Sequence, residues 1–127
     1  MVPVQGRRVR VEFDADQALL PVVRSVAASL AMVEDFTVDD IADVRLAVDE
    51  MCSTLITHAR PGCLLACQLD SGRGRMAVRG SVDADPGDGP DHDTLSWEIM
   101  SVLADTVTSE VAGGRLVLSL TKRRGDV

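Results

Sequence analysis

From residue 8 to residue 13 the chain alternates polar and apolar side chains (RVRVEF), the period of a half-buried strand. Beyond it Leu19, Val22, Val23, Val26 and Leu30 recur at spacings close to one helical turn. They predict a helix running to about Met32 with those residues on its buried side. Asp14 or Asp16 supplies the N-cap, and Pro21 falls in the first turns, where a missing N–H is tolerated. The spacing returns in Ile41, Val44, Val48, Met51 and Leu55, the stripe of a second, longer helix. Thr37 caps that helix with Asp40 three residues on as a capping-box variant, and Pro61-Gly62 ends it.

Two strand-like runs follow, residues 63–69 and 75–82, separated by the hairpin signal Ser71-Gly72-Arg73-Gly74. An acidic loop rich in Gly and Pro covers residues 83–93. From residue 94 to about residue 109, Leu95, Ile99, Val102, Leu103 and Val107 sit at helical spacing. Gly113-Gly114 then turns the chain into a last strand, residues 115–121, ahead of a basic tail. The order is β-α-α-β-β-α-β. It predicts an α+β, two-layer sandwich with helices on one face of a mixed sheet.

At 127 residues the chain is expected to form one domain, residues 1–127, with an ordered core from about 8 to 123. Its hydrophobic content of 46% is regularly spaced, which argues against disorder, and its 2% aromatic content requires an aliphatic core. The net charge of −7, with no basic stripe expected that could neutralise phosphates, argues against nucleic acid as a direct partner and suits a basic protein partner. The segment Met1 to Arg8 has no apolar stretch after its charges, so no secretory leader is expected. No apolar run approaches the roughly 18–20 residues of a membrane helix, and a cytoplasmic location with three reduced cysteines is the expectation.

Most polar residues invite a modest reading. Cys63 and Cys67 stand near His58, but four residues of strand span about 13 Å, too far for both thiolates to reach one ion. Cys52 has no partner in register on its own helix. Asp85-Pro86-Gly87-Asp88-Gly89 lacks both a P-loop lysine and the closing glutamate of a calcium loop, which leaves a surface turn. Asp105 reads as a solvated helical aspartate, and Lys122-Arg123-Arg124 as a solvated tail.

The second helix is different. At about 100° per residue, Glu50, Thr54 and His58 form a row beside its apolar stripe. Leu46-Ala47-Val48-Asp49-Glu50, with His58-Ala59 eight residues on, resembles the N box of the GHKL (Bergerat-fold, histidine-kinase-like) ATPases. More narrowly it resembles their bacterial anti-sigma factor branch, whose members are also serine protein kinases. Val22-Val23-Arg24 before it, and Leu103-Ala104-Asp105-Thr106-Val107 with residues 116–122 after it, extend the match across nearly the whole chain.

The resemblance implies roles residue by residue. Glu50 matches the general base that draws the proton from a substrate serine. Thr54 stands where an asparagine would hold the magnesium of Mg-ATP, and its hydroxyl is a shorter-reaching ligand. Gly80 stands where an aspartate would read the adenine amino group, unless the loop slides to bring in Asp83 or Asp85. Thr94 and Ser96 occupy the places of glycines that let backbone amides approach phosphates. These departures point to a pseudo-ATPase with no cofactor, in which Glu50 is a retained helical carboxylate and His58 a structural histidine.

Two functions follow from the resemblance. In the first, the chain is an anti-sigma factor that sequesters an RNA polymerase sigma factor without ATP chemistry. Arg24 then lies on the partner-binding surface, and a homodimer and a protein antagonist complete the system. In the second, the chain is an active ATP-dependent serine kinase that phosphorylates an anti-sigma factor antagonist, with Glu50 catalytic and Mg-ATP as cofactor. No membrane and no direct nucleic acid contact is implied by either.

Overall fold

Alternation at the start of the chain produces an edge strand, and the two helical stripes produce the helices that cover its sheet. The computed structural model describes residues 6–87 and 89–125; the first residues of the leader segment considered above, and Asp88 of the acidic loop, lie outside them. Strand β1 is Arg7–Asp14, followed by a 3-10 turn at Gln17–Leu19, helix α1 at Leu20–Val33 and helix α2 at Val38–His58. Strands β2 (Leu64–Gly72) and β3 (Arg75–Asp83), helix α3 (Leu95–Leu103), and strands β4 (Thr106–Ala112) and β5 (Arg115–Arg123) complete the chain. The sheet order is β1-β2-β3-β5-β4, and every neighbouring pair is antiparallel.

The two-layer α+β architecture is the one expected, with helices on one face. The sheet differs in one respect: it is wholly antiparallel, where a mixed sheet was predicted. The cause is β4. Residues 94–109 read as one helix, yet α3 ends at Leu103 and Thr106 to Ala112 pair with β5 instead. The run Thr106-Val107-Thr108 is β-branched throughout and favours a strand. One added strand reverses the direction in which β5 returns, so it meets β3 antiparallel.

Two tight turns set the register. Arg73 and Gly74 both have positive φ (55° and 72°) between β2 and β3, as do Gly113 and Gly114 (60° and 75°) between β4 and β5. Two such residues make the hairpin loop whose twist matches that of the strands it joins. Asp16 accepts from the Ala18 amide at 2.9 Å and caps the 3-10 turn, so α1 proper begins later than the sequence suggests. Thr37 caps α2 as expected, accepting from the Asp40 amide at 3.1 Å.

The core lies between the helices and one face of the sheet. Val44, Val48, Met51 and Leu55 of the predicted α2 stripe are fully buried, joined by Ala47 and Cys52, while Ile41 packs at the margin. From α1, Val23, Ala27, Leu30 and Ala31 are buried, whereas Val22, placed on the buried side by its spacing, is 50% exposed. Leu65, Cys67, Leu69, Met76, Val78, Val82, Leu116, Leu118 and Leu120 meet them from the sheet. Helix α2 occupies the centre of the helical layer, with α1 and α3 on either side.

The basic run near the C-terminus is structural and not a solvated tail. Lys122 belongs to β5, donates to the Leu103 carbonyl at 2.9 Å and reaches Asp43 at 3.4 Å, and Arg124 Nη1 donates to the Glu34 carbonyl at 3.1 Å. Asp105 lies in the turn after α3, not in a helix, and its carboxylate accepts from the Arg123 amide at 2.6 Å. These bonds lock the end of β5 to the helical layer.

Candidate functional site

The row Glu50, Thr54 and His58 runs along the side of α2 that faces α3 at its first two members. Glu50 and Thr54 lie one turn apart, so their side chains point to the same strip of surface. Thr94 caps α3 by accepting from the Trp97 amide at 3.2 Å, which brings Ser96 round to face that strip. The Ser96 hydroxyl donates to Glu50 Oε2 at 2.7 Å, and Thr54 Oγ1 stands 3.0 Å from Ser96 Oγ and 2.9 Å from the Glu50 carbonyl. Each hydroxyl has a single proton. Ser96 gives its proton to the carboxylate, and Thr54 shares its own between the Glu50 carbonyl and Ser96 Oγ.

This network closes the seam between α2 and α3. Three of the positions singled out in the sequence, Glu50, Thr54 and Ser96, meet there, and Thr94 supports them through its cap. His58 ends α2 two turns from Glu50 and is partly buried. Groups suited to magnesium and nucleotide phosphates do not fit this arrangement. The Thr54 oxygen is taken up by its own helix and by Ser96, and the Ser96 hydroxyl takes up one oxygen of the Glu50 carboxylate. Among the described residues no group of three or more His, Cys, Asp or Glu side chains is arranged to hold a metal ion.

Gly80 has a packing explanation. It lies within β3, three residues before the strand ends, beneath α2. A Cβ there would come within 2.6 Å of Leu55 Cδ1 and 3.2 Å of Met51 Cε. The glycine lets α2 sit close to the centre of the sheet, and an aspartate would drive a charge into two buried apolar side chains. Its missing side chain therefore says nothing about adenine. The carboxylates at the end of β3 are Asp83 and Asp85, paired with Arg115 at 2.6 Å and Arg60 at 3.0 Å on the exposed surface.

On the other side of α2, Arg24 of α1 faces Asp49. Arg24 Nε lies 3.7 Å from Asp49 Oδ1, with the two side chains 37% and 24% exposed. Asp49 Oδ1 itself is buried and takes no hydrogen bond among the described residues. The guanidinium is thus the charge that compensates a half-sheltered carboxylate, while its remaining donors face solvent. Spacing within α2 gives Asp49 no partner, because α1 and α2 meet through tertiary packing. The only available signal was an acidic residue directly before Glu50.

The cysteines are structural. Cys63 lies before β2 and does not share a site with Cys67, which is buried on the helix-facing side of the strand. Cys52 has a partner after all, not on its own helix but across the core: hydrogen bonding to Cys67, then burial, pushes its thiol well above the usual range. In the acidic loop, His92 stacks on Trp97 with ring centroids 3.8 Å apart and planes 7° from parallel, and its Nε2 meets Ser109 Oγ at 2.9 Å. That strap ties the loop to α3 and β4.

Comparisons with known proteins agree with this architecture. A family model described as the histidine kinase-like ATPase domain matches residues 13–122. Proteins named anti-sigma-F factor RsbW, from Mycobacterium tuberculosis strains CDC 1551 / Oshkosh and ATCC 25618 / H37Rv, are 31% identical over 135 residues, covering 97% of this chain and 80% of theirs. A crystal structure of the RsbU and RsbW domains of Rv1364c from Mycobacterium tuberculosis matches with a TM-score of 0.72 at 18% identity. That match covers 93% of this chain and 32% of the other, so this chain spans about a third of that longer protein and shares its fold.

Proposed function

The chain belongs to the histidine kinase-like ATPase domain family, and we propose that it is an anti-sigma factor that binds and sequesters an RNA polymerase sigma factor without ATP chemistry. The anti-sigma part is supported by the 31% identity to proteins named anti-sigma-F factor RsbW across nearly the whole chain. The non-catalytic part rests on one observation, the Ser96–Glu50–Thr54 network. It uses the side chains of the α2–α3 seam to join two helices, where Mg-ATP would need them for phosphates and metal. Sequestration needs affinity alone, and a rigid, closed scaffold provides it.

Arg24 is the proposed partner contact. Its guanidinium is held over Asp49 and keeps donors free for acidic groups of a partner, which a planar fork binds bidentately. The acidic remainder of the surface speeds encounter with basic helical domains. A homodimer is part of the proposal, with β1 as an available sheet edge. Release follows from a protein antagonist that competes for the same surface, since no nucleotide switch operates.

Co-purification with each sigma factor of the host is the decisive experiment. One sigma factor is retained, and Arg24→Ala weakens that complex by more than about 1 kcal/mol. Retention of none would overturn the sigma reading. Calorimetric titration with Mg-ATP tests the rest. Micromolar binding, or transfer of phosphate to an antagonist that Glu50→Ala abolishes, would replace it with the serine kinase reading.

A further inference from the structure

The face of the sheet turned away from the helices carries a charge pattern that the linear sequence hides. Arg75 of β3 and Arg123 of β5 are directly opposite one another in the antiparallel register. Both point to the open face, because their neighbours Met76 and Lys122 point to the helices. Like charges directly opposite across strands destabilise a sheet. Neither side chain has an ion-pair partner among the described residues. Alongside them, Arg73 occupies a left-handed position (φ 55°) at the hairpin tip, where glycine, asparagine or aspartate is the relaxed choice.

Two unfavourable local choices therefore coincide, and they border two adjoining grooves. One groove of about 430 Å³ is lined by Arg73, Arg75, Arg123 and Arg124 with three glycines and no carboxylate. A second, of about 470 Å³, shares Gly72 and Arg75 with the first and continues along the sheet past Arg8 and Arg79. Its single carboxylate, Asp70, is taken up by Arg8 at 2.7 Å. Arg124 is fixed in place by its bond to the Glu34 carbonyl, and the Glu34 carboxylate is occupied by the Gly74 amide at 2.8 Å. In a chain of net charge −7 this strip is the exception, assembled from strands far apart in sequence.

We propose that this strip docks an extended acidic segment of a partner protein, at a surface separate from Arg24. Charge complementarity selects an anion, and the shape of the strip selects its form. Arg75 and Arg79 lie on the same face of one strand, about 13 Å apart along it. An extended peptide with alternate acidic residues presents same-side carboxylates about 6.6 Å apart, so every second one meets an arginine, whereas a compact phosphate would reach one end only. Every strip cation is arginine, whose planar fork suits carboxylates bidentately. A long nucleic acid would have to approach a molecule that is negative elsewhere. The proposal does not depend on the sigma-binding reading.

Fluorescence anisotropy of the intact chain with a labelled ten-residue peptide of alternating Glu and Ser tests it. The peptide binds in low salt, and the affinity falls steeply as salt rises. Arg75→Gln and Arg123→Gln each weaken binding about fivefold or more, while Arg45→Gln, an equal loss of charge on the exposed side of α2, leaves it within about twofold. Without ligand, the melting temperature of the Arg75→Gln and Arg123→Gln variants stays level or rises, because a repulsion is gone. No binding by the peptide would overturn the proposal, as would equal loss in Arg45→Gln. Tighter binding of a single-stranded DNA 12-mer or of tripolyphosphate than of the peptide would also overturn it. So would a lowered melting temperature in both strip variants.

Discussion

Ser96 on α3 donates its hydroxyl proton to Glu50 on α2 across 2.7 Å, and this bond joins two helices that otherwise meet through few buried side chains. Removing the hydroxyl leaves a carboxylate to find water in a partly buried seam. Ser96→Ala is expected to lower stability by about 1–2 kcal/mol in urea unfolding, the usual worth of a hydrogen bond to a charged group with some solvent access. Equal stability of the two proteins would show that the seam is held by apolar contact alone.

Gly80 tests the height at which α2 rides on the sheet. Gly80→Ala places a methyl 2.6 Å from Leu55 Cδ1, so the core must shift. The expected cost is about 1–3 kcal/mol. Trimming the obstructing side chain in the double variant Gly80→Ala with Leu55→Val should recover part of it. Strict additivity of the two losses, read from thermal melts, would contradict the contact.

The Arg24–Asp49 pair predicts a stability effect that must be separated from partner binding. Both groups are partly solvated, so Arg24→Ala should cost no more than about 1 kcal/mol, and Asp49→Asn should restore it. A double-mutant cycle in urea measures the coupling. An Arg24→Ala protein that keeps its stability and loses its sigma factor would place the arginine's role at the interface.

Cys52 predicts a dependence on alkaline pH. Its thiol is held well above the usual range by Cys67 and by burial, so the folded chain keeps a proton that the unfolded chain gives up near pH 8.5. The contribution is fully present below that pH and is lost as pH rises further, towards the folded value. Thermal melts from pH 7 to pH 10 should therefore fall more steeply for the wild-type chain than for Cys52→Ala. Parallel slopes would show that the thiol titrates as it does in water.

How far the sequence foretold this depended on the range over which each feature is determined. Helix α2 was legible in full, since its stripe of Val44, Val48, Met51 and Leu55 and its Thr37 cap are local patterns. Strand β4 was misread because Leu103 and Val107 are four residues apart, a helical interval, while the strand owes its existence to β5 across the Gly113-Gly114 turn. Lys122 and Arg124 looked like a tail because their partners Asp43 and Glu34 are some eighty or more residues away. At the site, the row on α2 was visible from one helix alone. What Thr54 and Ser96 do to Glu50, and what Arg24 does for Asp49, depends on how separate helices dock, and no spacing within either helix records it.

Gly80 has a mechanical consequence. By letting α2 settle against Leu55 and Met51, it turns the middle helix into the fixed jaw of the seam. Helix α3 has Met100 as its one buried side chain, and so it is the less deeply anchored of the two. Any opening around Glu50 is then a local detachment of α3 with the central sheet intact. Amide exchange in α3 should accordingly outrun exchange in α2 and β3, with the Ser96 bond setting the rate of release.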